Sequence, residues 1–130
     1  MAITDGQGLP IAISLESASP HETQLVETTL DELVVKSPAT LIGDKAYDSG
    51  PLQTRLALER RILLRAPKRK KRGAATARPP PKGYKNRWKV ERFFAWLQNF
   101  RRIVTRWEYY AENFLGFVHL ACIFIISKRL

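Results

Sequence analysis

Apolar and polar positions change period several times along this chain of 130 residues, and each change predicts an element. In AITDGQGLPIAISLE two β-like runs flank Asp5-Gly6-Gln7-Gly8, with Ile11, Ile13 and Leu15 alternating against Ala12, Ser14 and Glu16, which predicts a hairpin. Ser19 precedes Pro20 and stands three residues before Glu22, a capping box, and Val26, Leu30, Leu33 and Val34 form an apolar stripe, so a helix is expected over residues 20–35. TLIGDKAY, residues 40–47, reads as a short buried strand whose last residues emerge at a sheet edge. Gly50-Pro51 opens a further helix, LQTRLALERR, with Asp48 as its expected cap, and Ile62-Leu63-Leu64 gives another strand. Hairpin, helix, strand, helix, strand is the order of an α/β layered domain with a mixed sheet, in which functional residues gather at strand ends. One long amphipathic helix is expected over residues 84–107. After a break at residues 110–113, a last helix runs to residue 130, apolar nearly all round, which the core or another subunit must cover.

Between residues 66 and 83 the periodicity stops. Lys68-Arg69-Lys70-Lys71-Arg72 is followed by GAATARPPPKG, which reads as a mobile basic loop able to lie along a phosphate backbone, or else as a solvated linker. The formal charge of +10 is unevenly placed: residues 1–59 hold three basic and nine acidic side chains, residues 60–110 seventeen basic and two acidic. Such asymmetry points to a polyanion on one side of the molecule. Aromatics interleaved with the basic stripe, among them Trp88, Trp96, Trp107 and Tyr109, suit nucleic acid, although packing also explains aromatics at helical spacing.

The length suits one domain, and 45% apolar content a folded one. Cys122 is the single cysteine, which excludes an internal disulfide and a cysteine-based zinc site and fits a reducing cytoplasm; it reads as a core residue. MAITDGQGLP has no signal-peptide pattern, and the run from Phe114 to Ile126 is short of the ~20 residues of a spanning helix, so no membrane role is expected. His21 reads as a surface residue and His119 as a satisfied core histidine.

The most informative spacing lies in YKNRWKVERFFAWLQ. On a helix turning about 100° per residue, Tyr84, Arg87, Glu91 and Gln98 share one face, while Val90, Phe93, Phe94, Leu97, Phe100 and Val104 line the next. Arg87 and Glu91 alone would be an ordinary i,i+4 surface pair. Asp44, at the end of the 40–47 run, changes the picture. Two carboxylates from a strand end and a helix can hold a hard cation, Mg²⁺ or Mn²⁺, of the kind that phosphodiester chemistry uses.

At these residues the sequence resembles the DDE transposases of bacterial insertion sequences, in the group with a Tyr-x2-Arg-x3-Glu-x6-Lys signature. Tyr84, Arg87 and Glu91 match in type and spacing, and Gln98 stands where the lysine usually falls, with Arg101 and Arg102 one turn further on. IGDKAYDS resembles the segment around the family's second catalytic aspartate, and TDGQGLPIAISLESASPHE the hairpin and helix start before it. The resemblance covers nearly the whole chain. It implies a ribonuclease-H-like mixed sheet flanked by helices, with Asp44 and Glu91 as catalytic, metal-binding carboxylates. Tyr84, Arg87, Gln98, Arg101, Arg102 and the residue 68–72 tract are the DNA-contacting candidates. The family's first aspartate lies on a strand before the hairpin, and Asp5, an ordinary turn residue, is not its match.

The expectation is therefore that residues 1–130 form the C-terminal part of a transposase catalytic domain, truncated at its N-terminal strand. The intact enzyme would cut element ends and join them to target DNA with Mg²⁺ or Mn²⁺; this part alone would be inactive. Expected partners are DNA and either a second copy of the chain or a polypeptide from an upstream reading frame. The alternative is a non-catalytic basic nucleic-acid-binding remnant or repressor of transposition.

Overall fold

In the computed structural model, which describes residues 1–17, 19–68 and 79–129, the opening hairpin signal becomes two short antiparallel strands, β1 (Ala2–Thr4) and β2 (Pro10–Ile13). Asp5 shapes the turn: its Oδ1 accepts the backbone N–H of Gln7 and of Leu9, both at 2.8 Å. Strand alternation then sorts the side chains. Ile3 and Ala12, opposite each other on the ladder, enter one hydrophobic cluster, and the neighbouring pair Ala2 and Ile13 lies against a second. The hairpin is thus a layer shared by two clusters.

The first cluster is closed by Val26 and Leu30 of α1 (Glu22–Asp31), Leu52 and Leu56 of α2 (Gly50–Arg60), Ile62, and Leu64 of β4 (Leu63–Arg65). Helix α1 begins two residues later than the capping box implies. His21 is the N-cap, its Nδ1 accepting the Thr23 N–H at 3.3 Å, and this side chain fills the role expected of Ser19. Thr29 is buried on α1. Its hydroxyl donates to the Leu25 carbonyl at 2.7 Å, so the Ser14 hydroxyl at 2.6 Å is the donor to Thr29. At the end of α2, Arg61 adopts the left-handed region (φ 55°) and the Ile62 N–H returns to the Leu56 carbonyl at 3.0 Å, which turns the chain directly into β4.

Strand β3 (Thr40–Ile42) pairs in parallel with β4, Thr40 opposite Leu63 and Ile42 opposite Arg65. It is not the buried strand expected, because Thr40 and Ile42 are exposed. Nor is there one mixed sheet: the described strands form two separate two-stranded sheets. Each strand has only three or four residues, and they reach the common core through helices instead of through further strands. The α/β class holds; the sheet is smaller and divided.

The second cluster joins Phe93 and Leu97 of α3 (Trp88–Leu97) to Val118, Ala121, Cys122 and Ile125 of α5 (Ala111–Ser127). The long helix expected over residues 84–107 is broken into a 3₁₀ turn (Tyr84–Asn86), α3, and α4 (Arg101–Val104). Phe100 leaves helical geometry (φ −98°, ψ 109°), and its ring meets Phe124 of α5 edge-on at 5.6 Å between centroids. A tertiary contact therefore overrides a segment with neither Gly nor Pro to stop it. On α5 the apolar circumference is only half used: Leu120, Ile123 and Phe124 remain exposed, and so does His119, contrary to its expected place in the core. Among the described residues, no helix is long and apolar enough to cross a membrane.

Candidate active site

The 3₁₀ turn and α3 on one side, and the segment after β3 on the other, bring Asp44 and Glu91 to a single guanidinium. After Ile42 the ladder extends by one bond, Gly43 N–H to the Arg65 carbonyl at 3.0 Å, and the chain then winds into a second 3₁₀ turn (Lys45–Tyr47). Asp44 is the N-cap of that turn: its Oδ1 accepts the Ala46 N–H at 2.7 Å. This fixes the carboxylate and leaves Oδ2 facing outward. Tyr47 folds back over Gly43 so closely that a β-carbon there would lie 2.8 Å from the ring, and a glycine is required on steric grounds alone. Burial, and after it the charges of Glu22 and Asp44, push the Tyr47 phenol up to about 12, so it stays protonated beside the carboxylate.

Arg87 stands at the start of α3 and Glu91 in its first turn, where the helix N-terminus favours a negative charge. Arg87 Nη2 lies 2.8 Å from Glu91 Oε1, and its Nη1 lies 3.9 Å from Asp44 Oδ2. The Tyr84 ring sits beneath the same guanidinium, 5.8 Å from Cζ to centroid. Thus Tyr84, Arg87 and Glu91 converge although Tyr84 is not on α3. All three acidic and basic groups are partly open to solvent, and they border a cleft of about 950 Å³ whose walls also include Asp5, Tyr47, Asn86 and Phe94.

Asp44 and Glu91 each present a carboxylate oxygen to one guanidinium, and carboxylate oxygens are the donor type that a hard divalent ion takes. No group of three or more His, Cys, Asp or Glu is placed to hold a metal ion among the described residues. Asp5 borders the cleft, yet its Oδ1 is taken by the hairpin turn, in agreement with its reading as turn chemistry.

The remaining DNA-contacting candidates are dispersed. Gln98 caps the far end of α3, and Arg101 and Arg102 lie on α4. Arg102 pairs with Glu108 at 2.9 Å. Lys68 pairs with Asp48 at 2.9 Å, and Ser49, not Asp48, occupies the N-cap of α2. Arg69, Lys70, Lys71 and Arg72 lie outside the described residues.

Sequence reasoning missed how α3 holds the hairpin. Lys89 Nζ donates to the Gly6 carbonyl and Arg92 Nη2 to the Gln7 carbonyl, the latter at 2.7 Å. Arg92 is itself stacked between Trp88 and Trp96, with Cζ 4.6 and 4.7 Å from the ring centroids. The Trp-x3-Arg-x3-Trp spacing carried that signal. These contacts flank Glu91 in sequence and seat its helix against the cleft wall.

The arrangement is that of a basic α/β domain with two carboxylates bordering one cleft. The chain belongs to the transposase DDE domain family, whose model matches residues 1–126. It is 32% identical over 127 residues to the candidate transposase of insertion sequence element IS6501 from Brucella ovis, covering 95% of this chain and 93% of that one. It is 29% identical over 139 aligned positions to the candidate transposase of insertion sequence element IS402 from Burkholderia cepacia, covering 98% of this chain and 62% of that one. No solved structure matches.

Proposed function

We propose that this chain acts in the transposition of an insertion sequence as a DNA-binding polypeptide of ribonuclease-H-like arrangement, contributing Asp44 and Glu91 as two of the three carboxylates of a DDE site. The observation that carries this is their convergence on Arg87 from segments 47 positions apart in sequence. Mg²⁺ or Mn²⁺ held by these oxygens would supply charge neutralisation at phosphorus and activation of the attacking oxygen. Asp44 brings an oxygen pre-set by its cap, Glu91 one supported by the helix N-terminus. Arg87 borders the cleft, with the Tyr84 ring against its guanidinium, and the two would contact the phosphate backbone. The third carboxylate would come from outside the two segments that meet at Arg87. On this reading the chain alone binds metal weakly and cuts DNA little. A second reading, a non-catalytic basic nucleic-acid-binding remnant or repressor, is supported by the formal charge of +10.

The test combines Mn²⁺ binding followed by electron paramagnetic resonance with plasmid nicking. Asp44→Asn and Glu91→Gln should each abolish Mn²⁺ binding, and the unaltered chain should bind duplex DNA with an affinity that falls steeply as salt rises. Mn²⁺ binding indifferent to both substitutions would overturn the site. Robust nicking by the chain alone, abolished by Asp44→Ala, would show that two carboxylates suffice.

A further inference from the structure

The segment between α4 and α5 inverts the usual order of burial. Glu108 has only 7% of its side chain accessible, whereas the neighbouring Trp107 is 76% exposed and Tyr109 89%. Carboxylates are almost never buried unless paired, and tryptophan is ordinarily well covered. Here the carboxylate is paired: Glu108 Oε1 accepts from Arg102 Nη1 at 2.9 Å, and its Oε2 from the backbone N–H of Trp107 at 3.2 Å. Arg106 completes the frame, donating to the carbonyls of Glu108 and Tyr109 at 3.0 and 3.1 Å. Both arginines are also braced from below, Arg102 against the Phe117 ring and Arg106 against Phe114. The polar network thus organises the loop from inside and turns the aromatic rings outward.

A loop free to collapse would cover those rings with its own aliphatic carbons, since exposed aromatic surface is unfavourable in water. Tyr109 and Tyr110 instead meet edge to face at 5.1 Å, which holds their orientation. Beside Trp107 lies an open depression of about 500 Å³ lined by Arg101 and Arg102. Arg102 is committed to Glu108, and Arg101 is the cation that projects from α4 without an acidic partner among the described residues.

We propose that Trp107 and Tyr109 form a platform for unpaired bases of single-stranded DNA, with Arg101 taking the adjacent phosphate. The charge argues for a nucleic acid over a second protein: residues 60–110 hold seventeen basic against two acidic side chains, and Glu108, one of the two, is covered and neutralised by Arg102. The ring faces argue for single strands. Bases within a duplex are stacked on one another and offer no face to an outside ring, whereas each unpaired base does. The inference rests on the reading of this chain as acting on DNA and names the form of DNA that this surface takes. It is separate from the carboxylate cleft, which Trp107 does not line.

The experiment uses the full chain with two probes, a single-stranded oligothymidylate and a blunt duplex of equal length, both followed by fluorescence anisotropy. Trp107→Ala should weaken single-strand binding about tenfold or more, the loss expected for one stacked base, and leave duplex binding nearly unchanged. Trp107→Phe, which keeps a ring, should restore most of the single-strand affinity and guards against a folding defect. Equal losses on both probes, or no loss on either, would overturn the platform while leaving the transposase reading intact. Failure of the unaltered chain to bind either probe at low salt would overturn both. Sedimentation showing a dimer that Trp107→Ala dissociates, with single-strand affinity unaltered, would assign the surface to a second copy and overturn the proposal.

Discussion

Arg87 approaches Glu91 within one turn of α3, Nη2 to Oε1 at 2.8 Å, and from that position its other nitrogen faces Asp44 at 3.9 Å. The guanidinium lies where two acidic groups would otherwise repel each other, which is also where a divalent ion would be drawn. On the proposed reading it would compete with metal for the same oxygens. Arg87→Gln should tighten Mn²⁺ binding by about 2- to 5-fold, the scale of a partly exposed ion pair, and should at the same time weaken duplex DNA binding. Mn²⁺ titration followed by electron paramagnetic resonance checks the first effect, gel retardation the second. Weaker Mn²⁺ binding in this variant would mean that Arg87 orders the carboxylates instead of competing for them.

Asp44 has two separable tasks, because Oδ1 caps the Lys45–Tyr47 turn and Oδ2 faces Arg87. Asn keeps a capping oxygen and loses the charge; Ala loses both. Asp44→Asn should melt close to the unaltered chain, and Asp44→Ala should cost about 1 kcal/mol, the usual magnitude of a lost cap. Both should lose Mn²⁺ binding. Urea denaturation of the two variants separates the tasks, and equal stability would show that the cap contributes nothing.

Two local signals at the candidate site are legible in the sequence, a glycine-aspartate step after an apolar run and the four-residue spacing of Arg87 and Glu91 on a helix, whereas the approach of Asp44 to Arg87 joins segments far apart in the chain. What was not legible depends on contacts between distant segments. Nothing in Gln98-Asn99-Phe100 forbids a helix, yet Phe100 is drawn out of it by Phe124, 24 positions on. The capping box at Ser19 was sound as local chemistry, but His21 supplies the cap instead, and only coordinates distinguish two competent caps two residues apart. The expected single sheet failed for a similar reason. Strand signals report that a segment is extended, and which strands pair is decided by the helices that cover them. Trp88 and Trp96 show the same limit: their spacing is visible, while the choice between a base and Arg92 as the stacking partner is made in three dimensions.

Gly8 is held by α3 as well as by its own backbone. Its φ of +88° favours glycine, and a β-carbon would meet Arg92 Nη2 at 3.1 Å and the Lys89 carbonyl at 3.3 Å. Gly8→Ala should lower stability by about 1–3 kcal/mol and loosen the hairpin turn from Lys89 and Arg92. Thermal melting measures the loss. An unchanged melting temperature would show that the turn is not seated against α3.

Two acidic groups set the alkaline limit of the fold. Burial pushes the Cys122 thiol from 9.0 up to about 11, and burial with the charges of Glu22 and Asp44 pushes the Tyr47 phenol from 10.0 up to about 12. Both raise the pKa of the folded state above that of the unfolded state, so above pH 9 the folded chain binds more protons than the unfolded one. Their contribution is complete below pH 9 and is lost progressively as pH climbs towards 12. The urea midpoint should therefore hold on the neutral side and fall steeply through that window. Cys122 lies in the second cluster and Tyr47 beside the first, so the two effects are separable: Cys122→Ala should remove the early part of the fall, and Tyr47→Phe, which retains the ring over Gly43, the later part. The same burial should keep the Cys122 thiol unreactive to a disulfide reagent near pH 8 until denaturant is added, because the thiolate is the attacking species. A midpoint that stays level through the alkaline window, or a thiol that reacts in the native chain, would show that neither group is as sheltered as its packing requires.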